Sequence, residues 1–241
     1  MLTKKIIAIA TLLCLVSAVS QAQEAVSDAE RDKCVKEEQM TGAAKGAGMG
    51  ALAGVGAAIL SGGNKQDAVK KVAAGAVVGG TAGFAMAYYG AIDACNKKNP
   101  AWITESKIER TKDYARVKRD TKYQSKEGIK AEATKLDIPT SVKPGAVLDL
   151  VSTFYALTPK GEETTVALSR KWFAIEDDKE TALPYSGKGT EERTIEPGEH
   201  KDTGRISISA DAKPGSKYRY EFSVSVDGKP ASSVTKTVVV Q

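Results

Sequence analysis

From Asp137 to Gln241, apolar and β-branched side chains recur at every second position, and this period constrains the fold more than any other feature of the chain. The segments AVLDLVSTFYAL (146–157), TTVALSRKWFAI (164–175), RISISA (205–210), SKYRYEFSVSVDG (216–228) and SSVTKTVVV (232–240) alternate or run β-branched. That is the pattern of strands with one buried face. Turn signals separate them at Pro144-Gly145, Pro159-Lys160-Gly161, Pro197-Gly198, Pro214-Gly215 and Asp227-Gly228. Residues 137–241 are therefore expected to form a β-sandwich, held by its apolar core alone because no cysteine lies within it.

The N-terminus fixes the compartment. Residues 1–22 carry Lys4 and Lys5, an apolar run from Ile6 to Ala18, and small residues at Ser20 and Ala22. This is the layout of a secretory signal peptide cleaved after Ala22. The apolar run is short for a bilayer core of ~30 Å. Leu13 before Cys14 argues against a lipidation site. Cleavage takes Lys+Arg from 35 to 33 against 30 Asp+Glu. The mature chain is thus nearly balanced, and its one basic region is 97–136, with 12 cations against 6 carboxylates.

Between leader and sandwich, Gly42, Gly46, Gly50 and Gly54 repeat every four residues, as do Gly75, Gly79 and Gly83, the latter continued by Ala87 and Ala91. Glycine costs a helix about 0.8–1.0 kcal/mol relative to alanine, so such a ladder implies a close neighbour along one helical face. Lys45 and Lys65 bracket nineteen uncharged residues, and Lys71 and Asp93 bracket twenty-one, each near the length that spans a bilayer. SGGNKQD (61–67) supplies a turn between them. The reading is an antiparallel helical hairpin. A flexible Gly/Ala linker and a hairpin buried in soluble protein are the competing readings; phosphate-loop spacings are absent. The apolar residues Leu52, Val55, Ile59 and Leu60 together favour insertion by only about 2 kcal/mol, so the hairpin is expected to self-associate.

Two cysteines remain in the mature chain, and an even pair in an oxidising compartment reads as a disulfide. Cys34 lies 26 residues before Leu60 and Cys95 lies 26 residues after Val69. A hairpin turning between them would bring both to its open end, stapled by a Cys34–Cys95 bond.

Residues 42–92 resemble the glycine-zipper two-transmembrane segments of bacterial envelope proteins, on the strength of the two ladders. The resemblance implies a role in envelope integrity or assembly and no enzymatic activity. Residues 137–241 resemble an immunoglobulin-type domain. Trp172 sits on the second clear strand, and KPGSKYRYEF resembles the turn entering a late strand with a corner tyrosine, Tyr218 or Tyr220. Trp172, Tyr218, Tyr220 and Phe222 are the expected sandwich core.

The stretch 101–136 has good helix formers and no continuous apolar stripe, which predicts exposed helix broken near Gly128. With Lys97 and Lys98 at the membrane exit, it could lie against anionic lipid or remain a solvated spacer.

Catalytic chemistry is not legible. His200 is the only histidine; it stands in IEPGEHKDTG among Glu196, Glu199 and Asp202, which reads as a polar loop. No second histidine is present for a two-histidine metal site, and a serine nucleophile would have only His200 as its imidazole base. The pairs Glu162/Glu163 and Glu191/Glu192 lack an apolar surround.

The expectation is an α+β multidomain chain. It comprises a signal peptide (1–22), a disulfide-stapled hairpin in a membrane (23–98), a basic helical linker (99–136) and an immunoglobulin-like sandwich (137–241). Its expected function is non-enzymatic: an envelope structural or assembly protein, anchored and oligomerised by the hairpin. Its periplasmic sandwich would bind an envelope protein or polymer. The outer membrane is favoured over the inner, and no cofactor, metal or nucleic acid is expected. The alternative is a membrane-perturbing or pore-forming assembly of glycine hairpins.

Overall fold

A computed structural model describes residues 29–41 and 80–241. The leader, Gly42, Gly46, Gly50, Gly54, Gly75, Gly79 and the turn at 61–67 lie outside the described residues.

Two sheets face each other. One runs β1 (Lys107–Asp113), β8 (Gly198–Ser207), β4 (Val147–Leu157), β2 (Lys130–Asp137) in spatial order. The other runs β3 (Ser141–Val142), β10 (Ser232–Val240), β9 (Lys217–Val226), β5 (Thr164–Glu176), β6 (Lys179–Leu183). β7 (Thr190–Ile195) pairs with the first half of β5, in line with β6 on its second half. Alternation sets the inward faces. β5 turns Val166, Leu168, Arg170, Trp172 and Ala174 inward, and β9 turns in Tyr218, Tyr220, Phe222, Val224 and Val226. All four expected core aromatics are buried, and Trp172 stacks on Tyr218 at 5.2 Å. The β-sandwich read from the period of two is the fold.

The segment 99–136 departs from its reading as a helical linker, because it supplies two strands of the sandwich. β1 (KIERTKD) has one partly buried apolar residue, Ile108, and lies on an edge where backbone pairing with β8 stabilises it. In β2 (KAEATKLD) a register shift between Ala133 and Lys135 breaks the alternation that would have betrayed it. Tertiary pairing overrides the helix propensity of Lys, Glu and Ala here. The sandwich thus begins well before residue 137. One helix survives, α3 (Tyr114–Thr121); Asp113 caps it, its side chain accepting from the Arg116 N–H at 2.8 Å.

Two helices precede the strands: α1 (residues 29–41) and α2 (Gly80–Lys98). The Cys34–Cys95 disulfide joins them, with Cα atoms 6.1 Å apart. Glu38 of α1 also meets Lys98 of α2 at 2.5 Å; the turn that would make the pair a hairpin lies outside the described residues.

α2 seats on the sandwich. Tyr89 is buried edge-on to both Trp172 and Tyr218, and its hydroxyl donates to the Ser207 carbonyl at 3.1 Å. β1 pairs with β8 no further than Thr203; α2 packs on β5 and β6, and its Tyr89 hydroxyl reaches β8 at Ser207. The Glu176 carboxylate, at the end of β5, caps the incoming helix by accepting from the N–H groups of Thr81 (2.9 Å) and Ala82 (3.3 Å). Gly80 makes room for it: with φ +67°, a Cβ there would lie 1.9 Å from a Glu176 oxygen. Among the described residues no helix is long and apolar enough to cross a membrane. Gly83 is exposed with nothing within 4 Å of a Cβ built on it, so no described residue makes the close contact expected of its ladder. Lys97 pairs with Asp93 (2.6 Å) and Lys98 with Glu38, so neither is a bare cation at a membrane exit.

Candidate binding groove between two sheet edges

β1 and β7 are the facing edge strands on one side of the sandwich. Each pairs on a single side, β1 with β8 and β7 with β5. α2 covers the half of that side where β6 lies, and a Thr104–Gly187 bridge crosses it before β1. Among the described residues the rest, between β1 and β7, stays open as a groove of about 430 Å³. Ile108 and Ile195 give it an apolar lining, with Lys107, Arg110, Arg193, Thr194 and Glu196 around them and His200 facing in from β8. Arg110 pairs with Glu196 across β1 and the turn before β8. Both strands are polar because edge strands carry charge that discourages indiscriminate pairing.

Beside the groove a buried charge cluster ties the sheets together. Arg170 of β5 points into the core and binds Asp202 of β8 through two 2.7 Å hydrogen bonds, each side chain about 1% exposed. The same guanidinium donates to Glu191 at 2.8 Å and to the Lys188 carbonyl at 3.0 Å. Ser106, just before β1, donates to Glu191 at 2.9 Å, as does Arg193. Burial pushes the Glu191 carboxyl up, but the Ser106 hydrogen bond and the Arg170 charge outweigh it and hold the group below its usual range. Both charges of the central pair are hydrogen-bonded, as a buried pair requires.

His200 is the main correction to the sequence reading. It lies on β8 rather than in a loop, facing inward and 4% exposed, with its ring stacked on Phe154 at 5.4 Å. Its Nε2 sits 2.8 Å from the Glu196 carbonyl, which can only accept, so Nε2 carries the proton. Burial, reinforced by the Arg110 charge and opposed by Glu199, lowers its pKa to about 4. Glu199 is engaged by Lys112 (2.8 Å) and Thr111 (2.9 Å), and Asp202 by Arg170. The three acids near His200 in sequence therefore do not converge on it as a site. Among the described residues no group of three or more His, Cys, Asp or Glu side chains could hold a metal ion.

Two unpaired edges flanking an apolar-floored groove can accept an extended chain, whose backbone adds to either edge while its side chains enter the groove. Sequence reasoning missed this site because it placed β1 in a helix and left β7 (TEERTI) unassigned. The β-branched Thr190, Thr194 and Ile195 were the available signal.

No family model matches the chain, and no curated protein does. Solved structures resemble it weakly. A CARDB domain from Pyrococcus furiosus, solved with two metal ions, aligns at TM-score 0.31 and 13% identity over 48% of this chain and 97% of that one. A conjugative transposon lipoprotein from Bacteroides eggerthii aligns at 0.26 and 10%, over 46% and 95%. A family 123 glycoside hydrolase from Clostridium perfringens aligns at 0.32 and 13% over 47% of this chain, which spans only 27% of that enzyme's length. Likeness of this order assigns no role to any residue here.

Proposed function

We propose that this is an exported, non-enzymatic protein of the bacterial cell envelope whose immunoglobulin-like sandwich receives an extended segment of a partner protein or polymer along the β1–β7 groove. The observation that carries the reading is the juxtaposition of two free strand edges across that groove. The absence of enzymatic activity is supported by His200, buried and neutral, and by the engagement of Asp202, Glu191 and Glu199 with cations. Export is supported by the leader-like residues 1–22. The glycine ladders at 42–54 and 75–83 support membrane attachment and self-association. Met86 and Ala87, exposed on the part of α2 turned from the sandwich, fit such a contact.

Photo-crosslinking side chains placed one at a time in intact cells test the groove. Positions 107 and 194 are expected to give discrete adducts, and the exposed Thr237 on β10 none. Adducts of equal yield from all three would refute groove binding, as would none from 107 and 194.

A further inference from the structure

The basic region acquires a location in the structure. From Lys112 to Lys126 there are six cations and two carboxylates, and the fold gathers this stretch onto α3 and the turns after it, at one end of the sandwich. Val117, Tyr123, Tyr155 and Leu157 pack beneath it as a small separate core. Tyr114 donates to the Thr158 carbonyl at 3.0 Å and ties the start of the helix to the sandwich, while Tyr123 donates to the Gly128 carbonyl at 2.7 Å within the following turn. Arg116, Arg119, Lys122 and Lys126 are all exposed.

Neighbouring carboxylates leave these cations largely alone. Asp113 accepts from the Arg116 backbone N–H, Glu127 from that of Gln124 (2.6 Å) and Glu162 from that of Lys160 (3.0 Å). Asp120 approaches Arg119 at 3.7 Å. Among the described residues, Arg116, Lys122 and Lys126 have no ion-pair partner. This contrasts with Lys97 and Lys98, each paired at 2.6 Å or less.

We propose that this end of the sandwich, through Arg116, Arg119, Lys122 and Lys126, docks on phosphate-bearing headgroups of an anionic lipid surface. The patch is an exposed helix and its following turns rather than a channel, a shape that meets a surface better than a single strand. Tyr123 is buried and the Lys118 ammonium lies over the Tyr114 ring at 5.4 Å, so neither offers the open stacking platform that single-stranded nucleic acid uses. The proposal is independent of the groove.

Vesicle co-sedimentation of the full mature chain tests it, with phosphatidylcholine alone against a mixture containing phosphatidylglycerol. The anionic lipid is expected to strengthen binding, and the gain to vanish at high salt. Each cation near an anionic surface contributes about fivefold. Arg116→Gln/Arg119→Gln/Lys122→Gln/Lys126→Gln should therefore remove a several-hundred-fold gain, and Arg116→Gln/Arg119→Gln alone about 25-fold, should the fourfold variant not fold. Lys97→Gln/Lys98→Gln should keep the gain. Equal binding to both vesicle types, or an anionic gain retained by both patch variants, would overturn the proposal. So would binding of inorganic polyphosphate or an oligonucleotide as tight as that of vesicles at matched charge.

Discussion

The pH dependence of stability between pH 7 and pH 5 should be governed by one residue, His200. Its imidazole is 4% exposed, stacked on Phe154, and has a folded pKa of about 4, against about 6.5 when unfolded. Because the folded value is the lower, the unfolded chain binds more protons between these limits. Stability is therefore full above about pH 6.5 and declines as the pH falls towards 4. With those values the linkage integral is about 2 kcal/mol between pH 7 and pH 5. The carboxyls held low by their partners, Glu109, Glu132, Glu191, Glu199 and Glu221, also lose stabilisation on acidification. Theirs begins to go only near the ordinary Glu value of about 4.3, below the interval of interest. Urea unfolding at pH 7 and pH 5 should show the loss in the native chain, and His200→Gln should be nearly flat over the same range. Equal slopes in the two proteins, or an NMR titration placing the His200 midpoint near 6.5, would refute the reasoning.

Reducing Cys34–Cys95, whose partners are 61 residues apart in sequence, should cost about 4 kcal/mol on the chain-entropy account; urea midpoints with and without reductant measure it, and an unchanged midpoint contradicts it. Trp172→Ala should cost ~3–5 kcal/mol, read by the same unfolding assay, and a loss below ~1 kcal/mol would deny the ring its place in the core. Asp202→Ala leaves Arg170 without its bidentate partner and should cost ~3–5 kcal/mol, whereas Arg170→Met/Asp202→Leu, which removes both charges, should cost less. A double variant as unstable as the single one would mean that the ion pair itself, rather than the penalty for breaking it, sustains the core.

What could be read from sequence was whatever burial writes into side-chain periodicity. β4, β5, β9 and β10 each have one apolar face, and their bounds fall within about two residues of the predicted ones. Trp172, Tyr218, Tyr220 and Phe222 were legible as core for the same reason. β1, β6 and β7 lie at sheet edges, where pairing is made by backbone and the side chains stay polar, so they left no such trace. β8 was half visible: RISISA shows its end, while His200 and Asp202 occupy inward positions that a hydrophobic pattern assigns to loop. The two-residue turn between β5 and β6 is made by Asp177 and Asp178 at φ +48° and +59°, a conformation usually signalled by Asn-Gly or Asp-Gly. The Cys34–Cys95 disulfide followed from count and compartment. For α2, the apolar stretch read as facing lipid turns Ala85, Tyr89 and Ile92 onto the sandwich. An uncharged helix carries no mark that distinguishes a bilayer from a neighbouring protein surface.

The seating of Tyr89 also dictates an order of folding. Its ring packs edge-on against the stacked pair of Trp172 and Tyr218, residues 83 and 129 positions further along the chain. A helix formed early in synthesis or translocation therefore has no complete seat until β9, close to the C-terminus, has emerged. Until then, Trp172 and its neighbours on β5 lack their helical cover and the aromatic cluster is incomplete. Contacts this distant in sequence close slowly, because the intervening chain must be ordered before they form. The nascent chain must wait for β9 before α2 can dock fully, and throughout that interval it depends on remaining unaggregated with an apolar seam open.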